Sequence, residues 1–138
     1  MTIGTETPIA RLMIIDDSTF DQMVYKRIID KSGLVKELHQ FLDATEALAY
    51  LRRSESSKPD LILLDINMPQ MDGFEFLEAV SQDTEVSPCP IIVMLTTSLN
   101  PADEDQAKTY DIVQDYLSKP LTQTHLEKLC RLLGAQPA

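Results

Sequence analysis

The chain has 138 residues, of which 43% are hydrophobic and 25% are charged, and this size suits one globular domain with its own core. Twelve basic residues against 22 acidic ones give a net charge of −10, the wrong sign for binding a phosphate backbone, so we expect no nucleic-acid partner. Since the sequence contains no apolar run as long as a membrane span and no signal peptide, we expect a cytoplasmic protein without a membrane partner.

The first apolar run, residues 11–15, predicts a β-strand that ends at an acidic pair. Ser18 or Thr19 follows as the expected N-cap of a helix that stops at Gly33. Apolar residues recur at helical spacing in this segment, and the face that they predict for the core consists of Met23, Val24, Ile28 and Ile29.

The middle of the chain repeats the alternation of strand and helix. Residues 35–41 predict a strand with polar interruptions, which is typical of a sheet edge, and the segment 43–46 has the pattern of a capping box that opens a helix. Residues 60–65 predict an aliphatic strand that ends in a carboxylate. Helical spacing resumes at Gly73.

The last third of the chain adds two more strands and two more helices. Residues 91–95 form a continuous aliphatic run, which is typical of a strand covered on both faces. The pair Asn100–Pro101 predicts the start of a helix over 102–110. A less apolar strand is predicted over 112–118, and Thr122 begins the final helix.

Strands that alternate with helices predict right-handed crossovers and a parallel sheet between two helical layers. In such sheets, the side chains that follow the carboxyl ends of the strands meet at one edge. The residues in these positions are Asp16, Asp17, Asp65, Thr96 and Lys119. We therefore expect a site at this edge, built from residues that are far apart in the sequence.

The residue types at this edge suit phosphoryl chemistry. Three aspartates repel one another, and a divalent cation relieves that repulsion; oxygen ligands without histidine or cysteine suit Mg²⁺. Lys119 supplies a positive charge and Thr96 a hydroxyl donor for phosphoryl oxygens. Asp65 is the expected nucleophile, because it ends a central run and the loop after it is restricted by Pro69 and by Gly73, whose backbone angle other residues would resist.

Each of these residues also has a plainer explanation when it is taken alone. Asp16 and Asp17 are typical of carboxylates at a helix entry, where the helix dipole favours them. Thr96 is typical of an ordinary loop hydroxyl, and Lys119 of a surface lysine before a turn. Tyr116 is more often a packed aromatic at a sheet edge than part of a switch. A shared site is favoured because these polar residues follow four separate strands.

Four motifs together resemble the receiver domain of bacterial two-component response regulators. They are the acidic pair in LMIIDDSTF, the segment LDINMPQMDG, the strand end MLTTS and the segment YLSKP, and they occur in the family's order. The resemblance implies a flavodoxin-like (CheY-like) α/β fold, a three-layer sandwich with a five-stranded parallel sheet in the order 2-1-3-4-5. We divide the chain accordingly into an N-terminal extension (1–10), a receiver domain (11–134) and a C-terminal tail (135–138).

The resemblance also implies the roles of the acidic residues. Asp65 corresponds to the phosphoacceptor, which also binds Mg²⁺. Asp17 corresponds to a direct Mg²⁺ ligand, whereas Asp16 corresponds to a residue that reaches the ion largely through water. The backbone carbonyl of Asn67 completes the implied set of metal ligands.

The remaining family positions are a lysine, a hydroxyl and an aromatic ring. Lys119 corresponds to the phosphate-binding lysine, and its peptide bond to Pro120 is expected to be cis. Thr96 corresponds to the switch hydroxyl, and Tyr116 to the aromatic residue that turns inward with it. One departure from the family pattern is the pair Tyr110–Asp111, where many relatives have a glycine after the fourth helix; Asp tolerates a left-handed angle better than most residues.

The resemblance further implies a single-domain response regulator that accepts a phosphoryl group from a histidine kinase. The segment TTSLNPAD is similar to a subgroup of stand-alone receivers that are paired with phytochrome-type kinases. We expect signalling through the face formed by the fourth helix, fifth strand and fifth helix, with an effector protein or a second copy of the chain (a homodimer) as partner. We expect an acceptor that phosphorylates and dephosphorylates itself, rather than a turnover enzyme.

Several alternatives stay open at this point. The domain would instead be a phosphorelay shuttle if it passed the phosphoryl group on to a histidine phosphotransfer domain. A flavin-binding domain would call for a hydroxyl-rich and amide-rich phosphate loop where this chain has Asp16 and Asp17. An aspartyl-phosphate hydrolase of small metabolites usually has a second acid where this chain has Asn67, and the missing general acid favours a longer-lived acyl phosphate. The intact set of edge residues argues against a further alternative, a degenerate receiver that serves only as a scaffold.

Overall fold

A computed structural model describes residues 9–53, 58–83, 86 and 90–134 of the chain. Within these residues, strands and helices alternate in the order β1 (Ile9–Ile15), α1 (Thr19–Ser32), β2 (Val35–Phe41), α2 (Ala44–Arg52), β3 (Leu61–Leu64), α3 (Gly73–Gln82), β4 (Ile91–Thr96), α4 (Pro101–Ala107), β5 (Val113–Ser118) and α5 (Gln123–Gly134). The five strands pair in parallel in the order β2-β1-β3-β4-β5. The predicted fold class and strand order are confirmed, and β2 lies at an edge as expected.

The first strand begins two residues earlier than the predicted start at Arg11. Ile9 is buried and lies opposite Val35 of β2 in the parallel register. Its amide donates a hydrogen bond to the carbonyl of Leu34 at 2.8 Å. Ile9 and Ala10, which the sequence placed in the N-terminal extension, therefore belong to the sheet. Alanine is depleted in strands, so Ala10 hides the start of the strand in the sequence pattern.

The other strands begin and end within one residue of their predicted bounds. All four residues of β3 are buried, as expected for a central strand that helices cover on both faces. Alternate residues of the central strands face opposite helical layers: Met13, Ile15, Ile62, Leu64 and Met94 pack with α2 and α3, whereas Leu12, Ile14, Leu61, Leu63 and Val93 pack with α1 and α5. No helix in the described ranges has both the length and the apolar character needed to cross a membrane.

Capping residues set the helix ends close to the predicted positions. Ser18, rather than Thr19, is the N-cap of α1, and its hydroxyl accepts a hydrogen bond from the amide of Asp21 at 3.1 Å. Gly33 ends this helix with a left-handed φ of 69°. Asp43 caps α2 by accepting from an amide of the first turn.

The helix α4 is shorter than predicted. Asn100–Pro101 starts it as expected, but its last helical residue is Ala107 rather than Tyr110. The amide of Tyr110 donates to the carbonyl of Ala107 at 3.1 Å, a three-residue spacing that closes a turn instead of extending the α-helix. Neither Tyr110 nor Asp111 has a positive φ; of the non-glycine residues that the structure describes, Gln70 has one, at 67°. This turn therefore forms without a left-handed residue at the family's glycine position.

The buried face of α1 matches the predicted one only in part, at Ile29 and the partly buried Ile28. Gln22, Tyr25 and Ile29 face the core, whereas Met23 is 51% exposed. The polar atoms of the buried residues have partners: Gln22 Nε2 donates to the carbonyl of Asp16 at 3.0 Å, and the Tyr25 hydroxyl donates to the Asp16 carboxylate at 2.6 Å. These hydrogen bonds offset the cost of burying polar groups, so the helix turns a partly polar face inward.

The first turn of α5 is held by a reciprocal cap between Thr122 and His125. The Thr122 hydroxyl accepts from the amide of His125 at 3.1 Å, and His125 Nδ1 accepts from the amide of Thr122 at 3.2 Å. Burial lowers the pKa of His125, and the charge of Lys128 lowers it further, while Asp115 opposes both effects. The neutral imidazole that the cap requires is therefore the favoured form in the folded protein.

We expect acidification to weaken this cap, because a protonated Nδ1 cannot accept a hydrogen bond. Since the folded-state pKa of His125 lies below the unfolded value of about 6.5, the stabilisation is fully present above pH 6.5. It is lost as the pH falls through the lower, folded-state pKa. Hydrogen exchange of the Thr122 amide should speed up over the same pH range in which NMR shows His125 being protonated. The loss in the free energy of unfolding should be about 1 kcal/mol or less. His125→Gln keeps an acceptor at every pH and should remove this dependence; an unchanged pH profile in that variant would contradict the cap.

Candidate functional site

The polar residues predicted for the sheet edge all lie at the carboxyl ends of the strands. Asp16 and Asp17 follow β1, Asp65 follows β3, and Thr96 is the last residue of β4. Lys119 follows β5, and its amide donates to the carbonyl of Thr96 at 3.0 Å, which ties the two strand ends together. The peptide bond between Lys119 and the next residue, a proline, is cis, as expected.

Three aspartates form an acidic cluster at this edge. Asp16, Asp17 and Asp65 each offer a carboxylate oxygen, and these oxygens lie within 4.8 Å of one another. Asp16 and Asp65 are buried, with 1% and 6% of their surface exposed, while Asp17 is exposed. The sheet therefore brings Asp65 together with residues that are 48 and 49 positions before it in the chain.

Both carboxylate oxygens of Asp16 are bound by the protein. Oδ1 accepts from the amide of Ser18 at 3.0 Å. Oδ2 accepts from the Tyr25 hydroxyl at 2.6 Å and lies 2.8 Å from Lys119 Nζ. These contacts fix the orientation of Asp16, whereas Asp17 presents its carboxylate toward solvent. The hydrogen bond to Asp16 also acts on Tyr25, since burial and this bond together raise the pKa of the phenol.

Lys119 lies at the centre of a group of carboxylates. Its Nζ is 2.8 Å from Asp16 Oδ2, 3.0 Å from Asp21 Oδ2 and 3.2 Å from Asp65 Oδ2, and its side chain is only 12% exposed. Burial by itself lowers the pKa of Lys119, but the hydrogen bonds to Asp16 and Asp21 and the charge of Asp65 outweigh burial and raise the pKa above its ordinary value. The ammonium group therefore stays charged throughout the physiological range.

Asp65 is a buried carboxylate under opposing influences. Its Oδ1 accepts from the amide of Ile66 at 2.8 Å, and its Oδ2 lies 3.2 Å from Lys119 Nζ. Burial raises the pKa of Asp65, as does the negative charge of Asp16, and Lys119 and the Ile66 amide only partly oppose this. The protein groups around Asp65 thus do not supply enough positive charge to balance its ionised carboxylate.

The donor set at this edge fits a hard divalent cation. Asp16, Asp17 and Asp65 could hold a metal ion, since their carboxylate oxygens are hard ligands of the type that Mg²⁺ takes. A cation here would also supply the positive charge that the Asp65 environment lacks. Asn67, whose backbone carbonyl the family resemblance adds to the ligand set, is exposed in the loop that follows Asp65.

The loop after β3 returns to lie directly against Asp65. The amide of Gly73 donates to the carbonyl of Ile66 at 2.8 Å. A Cβ atom at Gly73 would lie 2.5 Å from the backbone oxygen of Asp65 and 2.9 Å from the Cα of Ile66. Glycine is required here because the backbones approach closely, and the expected reason, an unusual backbone angle, is wrong. The positive φ in this loop occurs at Gln70.

We expect Gly73→Ala to displace the Asp65 backbone and to lower the free energy of unfolding by about 2–3 kcal/mol, the cost of forcing an extra methyl group into packed backbone. Gly33→Ala is the matched control, because that position has nothing within 4 Å and is strained only by its φ of 69°. Urea unfolding should show a loss for both variants, smaller for Gly33→Ala. Calorimetric Mg²⁺ titration should show weakened binding for Gly73→Ala alone; equal Mg²⁺ affinity in both would contradict this assignment.

Thr96 and Tyr116 lie beside the site on β4 and β5. Thr96 is fully buried, and its hydroxyl accepts from the amide of Ser98 at 3.2 Å. The Tyr116 hydroxyl oxygen is buried without a hydrogen-bond partner of ordinary geometry, and the ring packs on the core near α4. Burial raises the pKa of Tyr116, and the nearby Ser98 side chain opposes the shift. A cavity of about 220 Å³ between α4 and β5 is lined by Tyr116, Ala107 and Lys108 among others.

Two residues of this site, Asp21 and Tyr25, were not predicted from the sequence. Both lie on α1, where Tyr25 donates to Asp16 and Asp21 pairs with Lys119. A signal was present, because residues four positions apart share one face of a helix and the start of α1 follows directly on the acidic pair. A helical projection of α1 from Ser18 would have placed both side chains toward the site.

Comparison with known protein families gives a match over almost the whole chain. The family model described as the response regulator receiver domain matches residues 12–131. Response regulator Rcp1 from Synechocystis sp. is 32% identical over 123 residues, which cover 86% of this chain and 82% of Rcp1. Hybrid signal transduction histidine kinase L from Dictyostelium discoideum is 26% identical over 127 residues, and the chain spans 7% of the length of that protein.

Solved structures show the same similarity. A two-component response regulator from Cytophaga hutchinsonii has a TM-score of 0.85 at 28% identity, covering 94% of this chain and 99% of that one. The bacteriophytochrome response regulator AtBRR has a TM-score of 0.76 at 27% identity, with 94% and 96% coverage. The Mn²⁺-bound form of Rcp1 has a TM-score of 0.71 at 28% identity, with 91% and 92% coverage.

Proposed function

This chain belongs to the response regulator receiver domain family, and we propose that its Asp65 accepts a phosphoryl group from a histidine kinase in the presence of Mg²⁺. The observation that carries the proposal is the position of Asp65, a buried carboxylate within 3.2 Å of Lys119 and within 4.8 Å of two further carboxylates. Few structural roles would place a third acidic group at so crowded a point, because like charges in a low-dielectric environment are costly.

The chain's own residues divide the work of the transfer. A carboxylate oxygen of Asp65 attacks phosphorus, the bond from phosphorus to the donor histidine nitrogen breaks, and the nitrogen leaves with the electron pair. Lys119, which holds its proton, favours the ionised form of Asp65 and is placed to bind a phosphoryl oxygen. When bound, Mg²⁺ supplies positive charge for the phosphoryl oxygens and orients them. We propose Asp17 as its direct ligand and Asp16 as a ligand through water, because Asp16 is already held by protein donors.

A phytochrome-type histidine kinase is the donor that we propose. The similarity to the bacteriophytochrome response regulator AtBRR supports this choice, and the loop TTSLNPAD resembles the same subgroup. The test is to mix the protein with purified histidine kinases of the phytochrome type and of other types, each first labelled with radioactive ATP. Rapid transfer of the label from a phytochrome-type kinase, and from no other type, supports the proposal. Transfer at similar rates from kinases of both kinds, or no transfer from the phytochrome type, overturns it.

We propose that the signal leaves the site through Thr96 and Tyr116. Phosphorylation adds negative charge and acceptor oxygens, and the Thr96 hydroxyl, which accepts from the Ser98 amide, would donate its O–H to a phosphoryl oxygen. The cavity between α4 and β5 gives the Tyr116 ring room to rearrange. The surface of α4, β5 and α5 would then change, and an effector protein or a second copy of the chain would bind there.

A further inference from the structure

Asp21 lies beside the proposed phosphoacceptor without belonging to the metal cluster. It is in the first turn of α1, where its amide donates to the Ser18 hydroxyl at 3.1 Å. Its carboxylate reaches back to Lys119, with Oδ2 at 3.0 Å from Nζ, and its side chain is 33% exposed. An acid in a first helical turn is favoured by the helix dipole, but the dipole does not require contact with the lysine of a site.

Lys119 has no donor to spare in this arrangement. An ammonium group has three N–H donors, and Lys119 Nζ has three carboxylate partners, Asp16, Asp21 and Asp65, at 2.8 to 3.2 Å. An incoming phosphoryl oxygen can therefore bind Lys119 only if one of these carboxylates gives way.

The three partners differ in how easily they can give way. Asp16 is buried and also held by Ser18 and Tyr25, so releasing it would leave buried donors unpaired. Asp65 is the group that reacts. Asp21 has the most exposed side chain of the three, and water can replace Lys119 as its partner at the lowest cost.

We propose that Asp21 is a positioning residue that competes with the incoming phosphoryl group for Lys119 and thereby slows phosphorylation of Asp65. This inference rests on the proposed function. In the step concerned, an Asp65 oxygen forms a bond to the phosphorus of acetyl phosphate, the bond from phosphorus to the acetyl oxygen breaks, and acetate leaves with the electron pair. Lys119 keeps its proton throughout and exchanges Asp21 for a phosphoryl oxygen.

Charge adds to this competition. The Asp21 oxygen lies 3.0 Å and the Asp65 oxygen 3.2 Å from Lys119 Nζ. The two oxygens can therefore lie at most about 6 Å apart. At that distance and an effective dielectric constant of about 40, removing one negative charge favours an approaching anion by about tenfold. Because Asp21 is partly exposed, dissolved salt should screen this effect.

The test compares Asp21→Asn with the parent protein. Asparagine keeps a side-chain oxygen that can accept from Lys119, so the substitution changes mainly the charge. With acetyl phosphate and saturating Mg²⁺, intact-mass measurements over time should show labelling about five to ten times faster at low ionic strength. The gain should shrink as salt is added, and it should be smaller with phosphoramidate, a donor of lower negative charge.

Asp30→Asn is the matched control, because it removes the same charge from the same helix at an exposed residue that pairs with Lys26. Its labelling rate should equal that of the parent, and thermal unfolding should show both variants folded. An Asp21→Asn rate equal to or below that of the parent overturns the role of Asp21 but leaves the proposed function standing. A parent protein that takes no label overturns the proposed function itself.

Discussion

Asp65→Asn should abolish labelling by acetyl phosphate while leaving the protein folded. Asparagine has nearly the same shape but no nucleophilic carboxylate, and Lys119 keeps its contacts with Asp16 and Asp21. Intact-mass measurement with Mg²⁺ should show one added phosphoryl group on the parent and none on the variant. Asp60→Asn, at the opposite end of β3, removes the same charge away from the site and should label normally. If Asp65→Asn takes up the group as fast as the parent, Asp65 is not the acceptor.

The same variant should be at least as stable as the parent at neutral pH. Burial and the charge of Asp16 raise the pKa of Asp65, so the ionised carboxylate is less favourable in the folded state than in the unfolded state. Stability linked to Asp65 is therefore highest below its unfolded pKa of about 3.9 and falls as the pH rises through the folded pKa. Urea unfolding without metal should show that the parent loses stability relative to Asp65→Asn as the pH rises through the folded-state pKa of Asp65. A parent that is more stable than the variant at pH 7 would contradict the environment described for Asp65.

The sheet could be predicted from the sequence because its strands carry a strong local signal. Residues of β3 and β4 are covered by helices on both faces, so they appear as unbroken aliphatic runs. The edge residues Asp65, Thr96 and Lys119 could be predicted as neighbours because parallel strands end at the same side of the sheet. The parallel topology alone thus predicts that residues far apart in the sequence lie close together in the fold.

The inward face of α1 could not be predicted from hydrophobicity. A pattern of apolar residues selects Met23, but the structure buries Gln22 and Tyr25, whose polar atoms are paired with groups on neighbouring strands. Whether a polar side chain will find such partners depends on atoms that are distant in sequence. Helical spacing from Ser18 places Asp21 toward the site, but its partner, Lys119, is 98 residues away and cannot be identified from that spacing.

The role of Gly73 shows a second limit. The sequence identifies a glycine that follows a restricted loop, and an unusual backbone angle is the ordinary explanation. The observed cause is a distance, because a Cβ atom at this position would lie 2.5 Å from the Asp65 carbonyl oxygen. Distances between backbones depend on how β3 and α3 pack, which no local pattern contains.

The proposed switch depends on a hydroxyl group that is fully buried before phosphorylation. Thr96 is 0% exposed and accepts from the Ser98 amide, while Ser98 itself donates to Asp103 of α4 at 2.5 Å. A movement of Thr96 toward a phosphoryl oxygen would therefore be transmitted through Ser98 to the start of α4 by these two hydrogen bonds. Tyr116, whose hydroxyl end is buried near Ser98, would be the second route to the surface.

Thr96→Ala should still accept a phosphoryl group on Asp65 but should fail to transmit its presence. In the parent, beryllofluoride with Mg²⁺, a mimic of the phosphoryl group, should change amide hydrogen exchange across residues 101–133, because in the proposed switch it would engage Thr96 and shift the loop that leads to α4. Alanine removes the donor at a stability cost of about 1 kcal/mol, so the change should be lost although the protein stays folded. Thr97→Ala is the control, since Thr97 is exposed and its removal should leave the response intact. Unchanged exchange across residues 101–133 in the parent would contradict the switch, and an intact response in Thr96→Ala would show that another group carries the signal.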